Sequence, residues 1–303
     1  MQYFVTFLIV LVAICYSFTG NAQTSYLKLM NRADSAFQVE EYDLAIKIYK
    51  QAIAHESAPM GSEARAKADL GLARCYLDLW YYPKALPVLK EAERMAVNKI
   101  LQGDIFESLG RAYNDKTDPD SALIMLELAF KAWKGFPDVE REVRWRNEKS
   151  KAQMELMKDK EALATLQESE KRLIENPNGV SAYEQARMLG QLAGAYKTLG
   201  WIWSSEKATK DFIHVLPKIP QQKFRWGRIV IGYHHLLNFE VGDSLTQRVE
   251  EIFRNKFREE HLCVAKIKWE RITYYERKNN WNSNDIAIQN ALKIAYGYNS
   301  IDY

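Results

Sequence analysis

The sequence predicts an all-α fold built from repeated helical hairpins. Three observations carry that expectation. Glycine and proline are scarce, at 14 and 8 of 303 residues, which leaves long stretches free to be helical. Apolar and small residues recur at offsets of 3, 4 and 7, the period of one helical face, as in Phe106, Leu109, Gly110 and Tyr113. Small or short residues also return at a nearly fixed interval: Ala45, Ala85, Ala122, Ala162, Ser205, Ser244 and Asn284 are separated by 40, 37, 40, 43, 39 and 40 residues. Strand-like alternation is rare after the first segment.

The clearest stretch is GDIFESLGRAYNDKTDPDSALIMLELAFKAWK, residues 103–134. Its first half carries the Phe106–Tyr113 face. NDKTDPD then breaks the pattern, and Asp118 can cap a second helix with Pro119 at its first position and Asp120 favouring its N-terminus. Ala122, Leu126 and Ala129 share one face of that second helix. This spacing resembles the tetratricopeptide repeat, whose signature is W-x2-L-G-x2-Y…A-x3-F. The resemblance implies a right-handed superhelical α-solenoid of about seven tetratricopeptide-like helix–turn–helix hairpins.

With the small residue of each first helix as zero, the family pattern expects large, aromatic, small, large and small residues at +3, +9, +12, +16 and +19. Ala33, Ala36, Tyr42, Ala45, Tyr49 and Ala52 make the first unit. Ala73, Tyr76, Tyr82, Ala85, Leu89 and Ala92 make the second, and Gly110, Tyr113, Pro119, Ala122, Leu126 and Ala129 the third. These clearest repeats span 26–134. Degenerate ones span 139–303: a fourth on Ser150 and Ala162, a fifth on Ala193 and Ser205, a sixth on Gly232 and Ser244, and a seventh on Ile272 and Asn284. The interval exceeds the family's period of about 34, so each unit carries extra residues in its helices or loops; a HEAT-like array of about 40–47 residues per repeat is the alternative. The small residues have a physical reason, since antiparallel helices approach closely only if nothing bulky stands between them. One hairpin cannot bury its apolar face alone, so neighbours must stack.

Breakers fall where hairpins should meet, in HESAPMGSE, GFPD, ENPNGVS and VLPKIPQQK. The N-terminus is different. YFVTFLIVLVAICYSF is almost wholly apolar, and no charged residue precedes Lys28. Gly20 and Ala22 stand at −3 and −1 of a cleavage point. Residues 1–22 therefore read as a secretory signal peptide, with the repeat array in 23–303. The missing positive n-region leaves an uncleaved anchor as the alternative, although the run is short for a span. Cys15 follows Ile14, which is too large for a usual lipobox. The processed chain is expected to be exported, periplasmic or secreted, with no stable membrane insertion. Cys75 and Cys263 read as buried small hydrophobes in distant units.

The chain holds no nucleophile elbow, metalloprotease helix, phosphate loop or dinucleotide fingerprint. His234 and His235 are adjacent and diverge on a helix. Asp115, Asp118 and Asp120 lack the glycine and terminal glutamate of a calcium loop. No enzyme activity, metal or cofactor is expected. A net charge of +3 with no dominant basic cluster argues against nucleic acid.

Under the resemblance, offsets +1 and −6 of each first helix face the concave groove. They carry Arg74, Arg111, Lys151 and Arg187, and a partner segment richer than average in Asp and Glu would suit such a row. A mixed, solvated face is the alternative, because Asp104 breaks the row and Glu107, Asp115 and Glu155 dilute it. Trp226, Tyr233 and Trp269, at −6, +1 and −3, are either groove anchors or buried by an irregular sixth unit. Arg74 and Arg111 stand where the family's carboxylate-clamp version has Asn. The expected function is a non-enzymatic exported scaffold binding a peptide or protein segment. The alternative is a stand-alone or truncated periplasmic sensor region, because the sequence also resembles such portions of histidine kinases and helix-turn-helix regulators. The exported protein is expected to begin at Gln23, which intact-mass analysis would read directly; a mature chain starting at Met1 would show that the leader is retained.

Overall fold

A computed structural model describes residues 25–55, 62–220, 224–233, 236 and 239–256. Residues 1–22, read from the sequence as a signal peptide, with Cys15, Cys263, Trp269, the histidine pair and the expected seventh unit, lie outside the described residues. Twelve α-helices and no strand occur among those described. Residues 25–38 form α1. It is followed by α2 (Tyr42–Ile53), α3 (Glu63–Asp78), α4 (Tyr82–Met95), α5 (Lys99–Asp115) and α6 (Pro119–Ala132). Then come α7 (Val139–Glu155), α8 (Asp159–Glu175), α9 (Ala182–Thr198), α10 (Ile202–Val215), a 3-10 turn (Leu216–Lys218), α11 (Phe224–Tyr233) and α12 (Phe239–Lys256).

The first and second helices of units one to five are joined by one recurrent turn. Position +7 is left-handed in all five, at Glu40, Trp80, Thr117, Met157 and Gly200, with φ between 58° and 76°. The next amide closes a six-residue loop onto the carbonyl at +3: Glu41 to Ala36, Tyr81 to Tyr76, Lys158 to Gln153 and Trp201 to Tyr196, at 2.7–2.9 Å. This is the Schellman arrangement, which satisfies carbonyls that a helix end leaves open. Only Gly200 adopts the left-handed region without steric cost. Position +9 is the first residue of α2, α4, α6, α8 and α10 alike.

The two kinds of helix start differently. Ser62, Asn98, Asp138 and Ser181 cap α3, α5, α7 and α9 through their side chains. Glu41, Tyr81, Lys158 and Trp201 precede α2, α4, α8 and α10 without such a bond, because the turn already fixes the chain's entry. Asp118 is the exception foreseen in the sequence: its Oδ1 accepts the Ser121 amide at 3.2 Å.

The unequal intervals follow from helix and loop lengths. α5, α7 and α9 have 17 residues each, about 25 Å. The 37-residue interval reflects the short connection Ala96–Val97–Asn98, and the 43-residue one a second helix, α8, of 17 residues where α4 and α6 have 14. The small positions are buried as expected: Ala33, Ala45, Ala73, Ala85, Ala122, Ser150, Ala162 and Ala193 have no exposed surface. Ser205 is nearly buried too, and its hydroxyl donates to the Ala193 carbonyl at 2.9 Å.

The sixth unit departs from the expected register. Gly232, Ser244, Arg248 and Glu251 are all exposed, whereas Val230, Gly242, Thr246 and Val249 are buried. The spacing is intact but displaced by two residues, and α12 begins at Phe239 rather than Val241. Val249 and Phe253 of α12 pack over Gly227 of α11, and this contact sets the phase.

The chain divides into two compact units, one of residues 1–116 and 124–136 and one of 117–123 and 137–303. In the first, Tyr42, Tyr49, Leu77, Leu89, Ile105 and Leu109 are the large buried residues; Cys75 is buried and free among them, and burial pushes its thiol up, away from reactivity. In the second, Trp145, Leu166, Met188, Leu192, Phe212, Trp226 and Phe253 fill the interior.

Met157 is 84% exposed, so its left-handed backbone is compensated by little packing. Met157→Gly is expected to stabilise the protein by about 0.5–1 kcal/mol, the relief of left-handed strain less the extra entropy of an unfolded glycine. Thermal melting checks this, and an unchanged or lower midpoint would contradict it.

Candidate binding cleft

In the first compact unit, the first helices of three successive hairpins line a cleft of about 560 Å³. α1 supplies Met30, Asp34, Phe37 and Gln38, α3 supplies Lys67, Leu70, Gly71 and Arg74, and α5 with its cap supplies Asn98, Ile100, Leu101 and Asp104. The spacings 30, 34, 37 and 67, 70, 71, 74 each trace one helical face, so the sequence delivers these residues together. Tyr49 of α2 completes the lining. Its ring lies so close to α3 that a Cβ on Gly71 would stand 2.4 Å from it, and its hydroxyl donates to Asp34 Oδ1. Gly71 is therefore required for the cleft's shape. Apolar side chains alternate around this cleft with two bases, two acids and two amides, a lining suited to a polar chain with some apolar side chains.

Arg74 is at this cleft, half-buried, with loose ion pairs to Asp104 at 3.9 Å and Glu107 at 4.0 Å. Lys67 lies two turns earlier on the same face of α3 and is exposed, with only a 3.9 Å pair to Glu63. Arg111 is not presented to a ligand. Its Nη2 meets Asp78 Oδ1 at 2.7 Å, and Asp78 also accepts the Tyr42 hydroxyl at 3.0 Å. Asp78 is the last residue of α3, where the helix dipole disfavours a carboxylate; Arg111 and Tyr42 offset that and tie three helices together.

In the second unit, Arg187 of α9 is held between Glu148 of α7 and Glu184 of its own helix. Burial alone would push the guanidinium down, but Glu184 and Glu148 hold it well above its ordinary range. Asn147 donates to Glu184 Oε2 at 2.9 Å, and Ser150 donates to Gln191 Oε1 at 2.7 Å. All of these carboxylates, amides and hydroxyls are buried, so the α7–α9 contact is polar as well as tight. Lys151 is half-buried on α7. The expected basic row is thus corrected: Arg111 and Arg187 bind acids on neighbouring first helices instead of standing free. The acids at Asp78, Glu107 and Glu148 were the signal, because side-by-side helices pair bases on one with acids on the other.

The aromatic anchors are corrected too. Trp226 is 1% exposed and belongs to the core. Tyr233 packs edge-on against Phe212 at 5.7 Å and lies over Gly190, and burial pushes its phenol up. The two-residue displacement of the sixth unit puts Tyr233 at +3, the hairpin's own packing position. Of the two readings left open for this pair, burial holds.

α3 also carries Asp69, buried, whose Oδ2 lies 3.7 Å from Arg65 Nε and accepts no hydrogen bond. Burial raises its carboxyl to about 6, against the pull of Arg65. Among the described residues, no group of three His, Cys, Asp or Glu side chains could hold a metal ion.

No protein-family model and no curated protein matches the sequence. Solved structures do match. A Rap protein complexed with competence and sporulation factor aligns with a TM-score of 0.68 over 92% of this chain and 78% of its own, at 13% identity. Aspartyl phosphate phosphatase F from Bacillus subtilis aligns at 0.64 over 91% of this chain and 71% of its own, at 10% identity. A signal transduction ATPase with a tetratricopeptide repeat sensor, from Pyrococcus horikoshii, aligns at 0.53 over 93% of this chain and 42% of its own, at 16% identity. The fold is a tetratricopeptide-like helical repeat. At these identities the likeness is one of fold, and it favours that reading over a HEAT-like array.

Asp69 sets a pH dependence with a definite sign. Its folded value of about 6 lies above the ordinary 3.8, so the native chain holds a proton that the unfolded chain has lost. Stability should therefore fall as pH rises through that window. Asp69→Asn is expected to raise stability at pH 7 by about 1–3 kcal/mol and to leave it nearly unchanged at pH 4. Denaturant melts at the two pH values check this, and an equal effect at both would refute it.

Proposed function

We propose that this protein is a non-enzymatic, exported scaffold that holds a peptide or protein segment against the first helices of its opening hairpins. The observation that carries this reading is the cleft between α1, α3 and α5, with apolar walls and interspersed amides and charges. Amides such as Gln38 and Asn98 can bond a peptide backbone, and Met30, Phe37, Leu70 and Ile100 can receive apolar side chains. The same fold in a Rap protein is seen in complex with competence and sporulation factor, which agrees with a fold that accommodates a second molecule. Acidic preference is confined in this reading to the Lys67–Arg74 edge, because Arg111 and Arg187 are engaged within the repeats. Export rests on the apolar leader and the small residues before Gln23.

The test is a random-peptide array probed with the full chain. The wild type is expected to retain a subset of peptides, enriched in Asp or Glu at one position. Lys67→Glu with Ile100→Glu should lower retention about tenfold or more while helicity and melting stay near wild type. Retention unaffected by this pair, or no retained peptide at all, would remove the cleft as the binding site.

A further inference from the structure

The fifth hairpin ends in a feature that peptide capture in the first unit does not use. Its turn carries Trp201, Ile202 and Trp203 in succession, and they are 52%, 55% and 87% exposed. The corresponding residues of the first four hairpins are Glu41, Tyr42 and Asp43; Tyr81, Tyr82 and Pro83; Asp118, Pro119 and Asp120; and Lys158, Asp159 and Lys160. None of those combines two exposed indoles. Trp201 is the residue before α10, and Ile202 and Trp203 are its first two. Trp201 stacks on Tyr196, with ring centres 5.8 Å apart, which holds the turn's shape without burying it.

Successive side chains at a helix start diverge by about 100°. Three in a row therefore present apolar surface around most of the tip. A rigid protein face could cover one side of such a tip, whereas a fluid interface can surround it. Indole also favours the boundary between lipid and water, where its ring is buried and its N–H meets polar headgroups. Exposed Lys197, Lys207 and Lys210 stand within about two turns of the tip, and their stems can lie along apolar surface while the ammonium groups reach anionic headgroups. Glu206 and Asp211 offset part of that charge. A hollow of about 330 Å³ beside Ile202 includes Lys197 and Lys210 in its lining, together with Ser205 and Thr209.

We propose that the Trp201–Trp203 tip is a peripheral docking site for a lipid surface containing anionic lipids. No described helix is long and apolar enough to cross a membrane, so the attachment is interfacial. The indoles and Ile202 enter the headgroup boundary, and the lysines set the preference for negative charge.

Co-sedimentation of the full chain with vesicles tests this, using phosphatidylcholine alone and phosphatidylcholine mixed with phosphatidylglycerol. The wild type is expected to partition measurably onto both and more strongly onto the mixed vesicles. Trp203→Ser should weaken partitioning onto both, and Trp201→Ser with Trp203→Ser should lower it about tenfold or more. Lys197→Glu with Lys210→Glu should remove only the preference for the mixed vesicles. Circular dichroism keeps the comparison to folded chains, and Trp203→Ser, which disturbs no packed ring, guards against loss of fold. Equal partitioning of wild type and the double tryptophan variant would overturn the proposal. So would an absence of vesicle binding together with tryptophan-dependent self-association in sedimentation velocity, which would make the tip a contact between copies.

Discussion

The recurrent left-handed turn is the constraint on which the rest of the structure depends. A three-residue connection allows little freedom in how a second helix returns along the first. Fixing position +7 sets that return in the first five units, and in four of them the +8 amide is bonded back to +3. Once it is set, +12, +16 and +19 must face the first helix, and only small residues fit at zero and +12. The array tolerates backbone strain at Glu40, Trp80, Thr117 and Met157 because the geometry cannot be relaxed without losing this alignment. In the sixth unit the spacing survives but its phase changes, set by Val249 and Phe253 over Gly227.

The same alignment decides what charged residues do. Within each compact unit, first helices of adjacent hairpins lie side by side, so a base on one finds an acid four offsets further along the preceding one. Arg111 with Asp78 and Arg187 with Glu148 belong to this cross-stitching. Such pairs give modest net stability, because desolvation opposes the Coulomb attraction, but losing one partner leaves a buried charge at a cost of about 3–5 kcal/mol. Binding capacity is left to places where the stitching is loose. The α1–α3–α5 cleft is one, since Arg74 is weakly paired and Lys67 points outward. There Gly71 and Tyr49 govern how deep a guest could sit.

Much of the fold was legible in the sequence because close helix approach demands small side chains, and these repeat visibly from Ala33 to Ala193. Asp118 and Pro119 announced a helix start for equally local reasons. The sixth unit was misread by two residues: Ser244 imitates the small position, whereas Gly242 occupies it. Periodicity alone cannot tell these apart, because both residues are small. The site was less legible. The offsets grouped Arg74, Arg111 and Arg187 as one row, and these looked alike until the acids beside them were considered. Trp226 and Tyr233 are aromatic residues whose role depends entirely on phase. Asn98 gave no signal of its own, since it becomes part of the cleft only through tertiary proximity.

The buried polar contact between α7 and α9 has a consequence for how such a chain could have grown. A repeat array lengthens most simply by copying one hairpin and inserting the copy beside its parent. That works where facing surfaces are generic and apolar, because a duplicate can serve either side. The junction of the fourth and fifth hairpins is not generic: Asn147, Glu148 and Ser150 on one helix answer Glu184, Arg187 and Gln191 on the next. A second copy of either hairpin there would set carboxylates or amides against groups that cannot answer them. This junction therefore acts as a lock on copy number, so that ancestral duplication or loss of hairpins would have been easier elsewhere in the array.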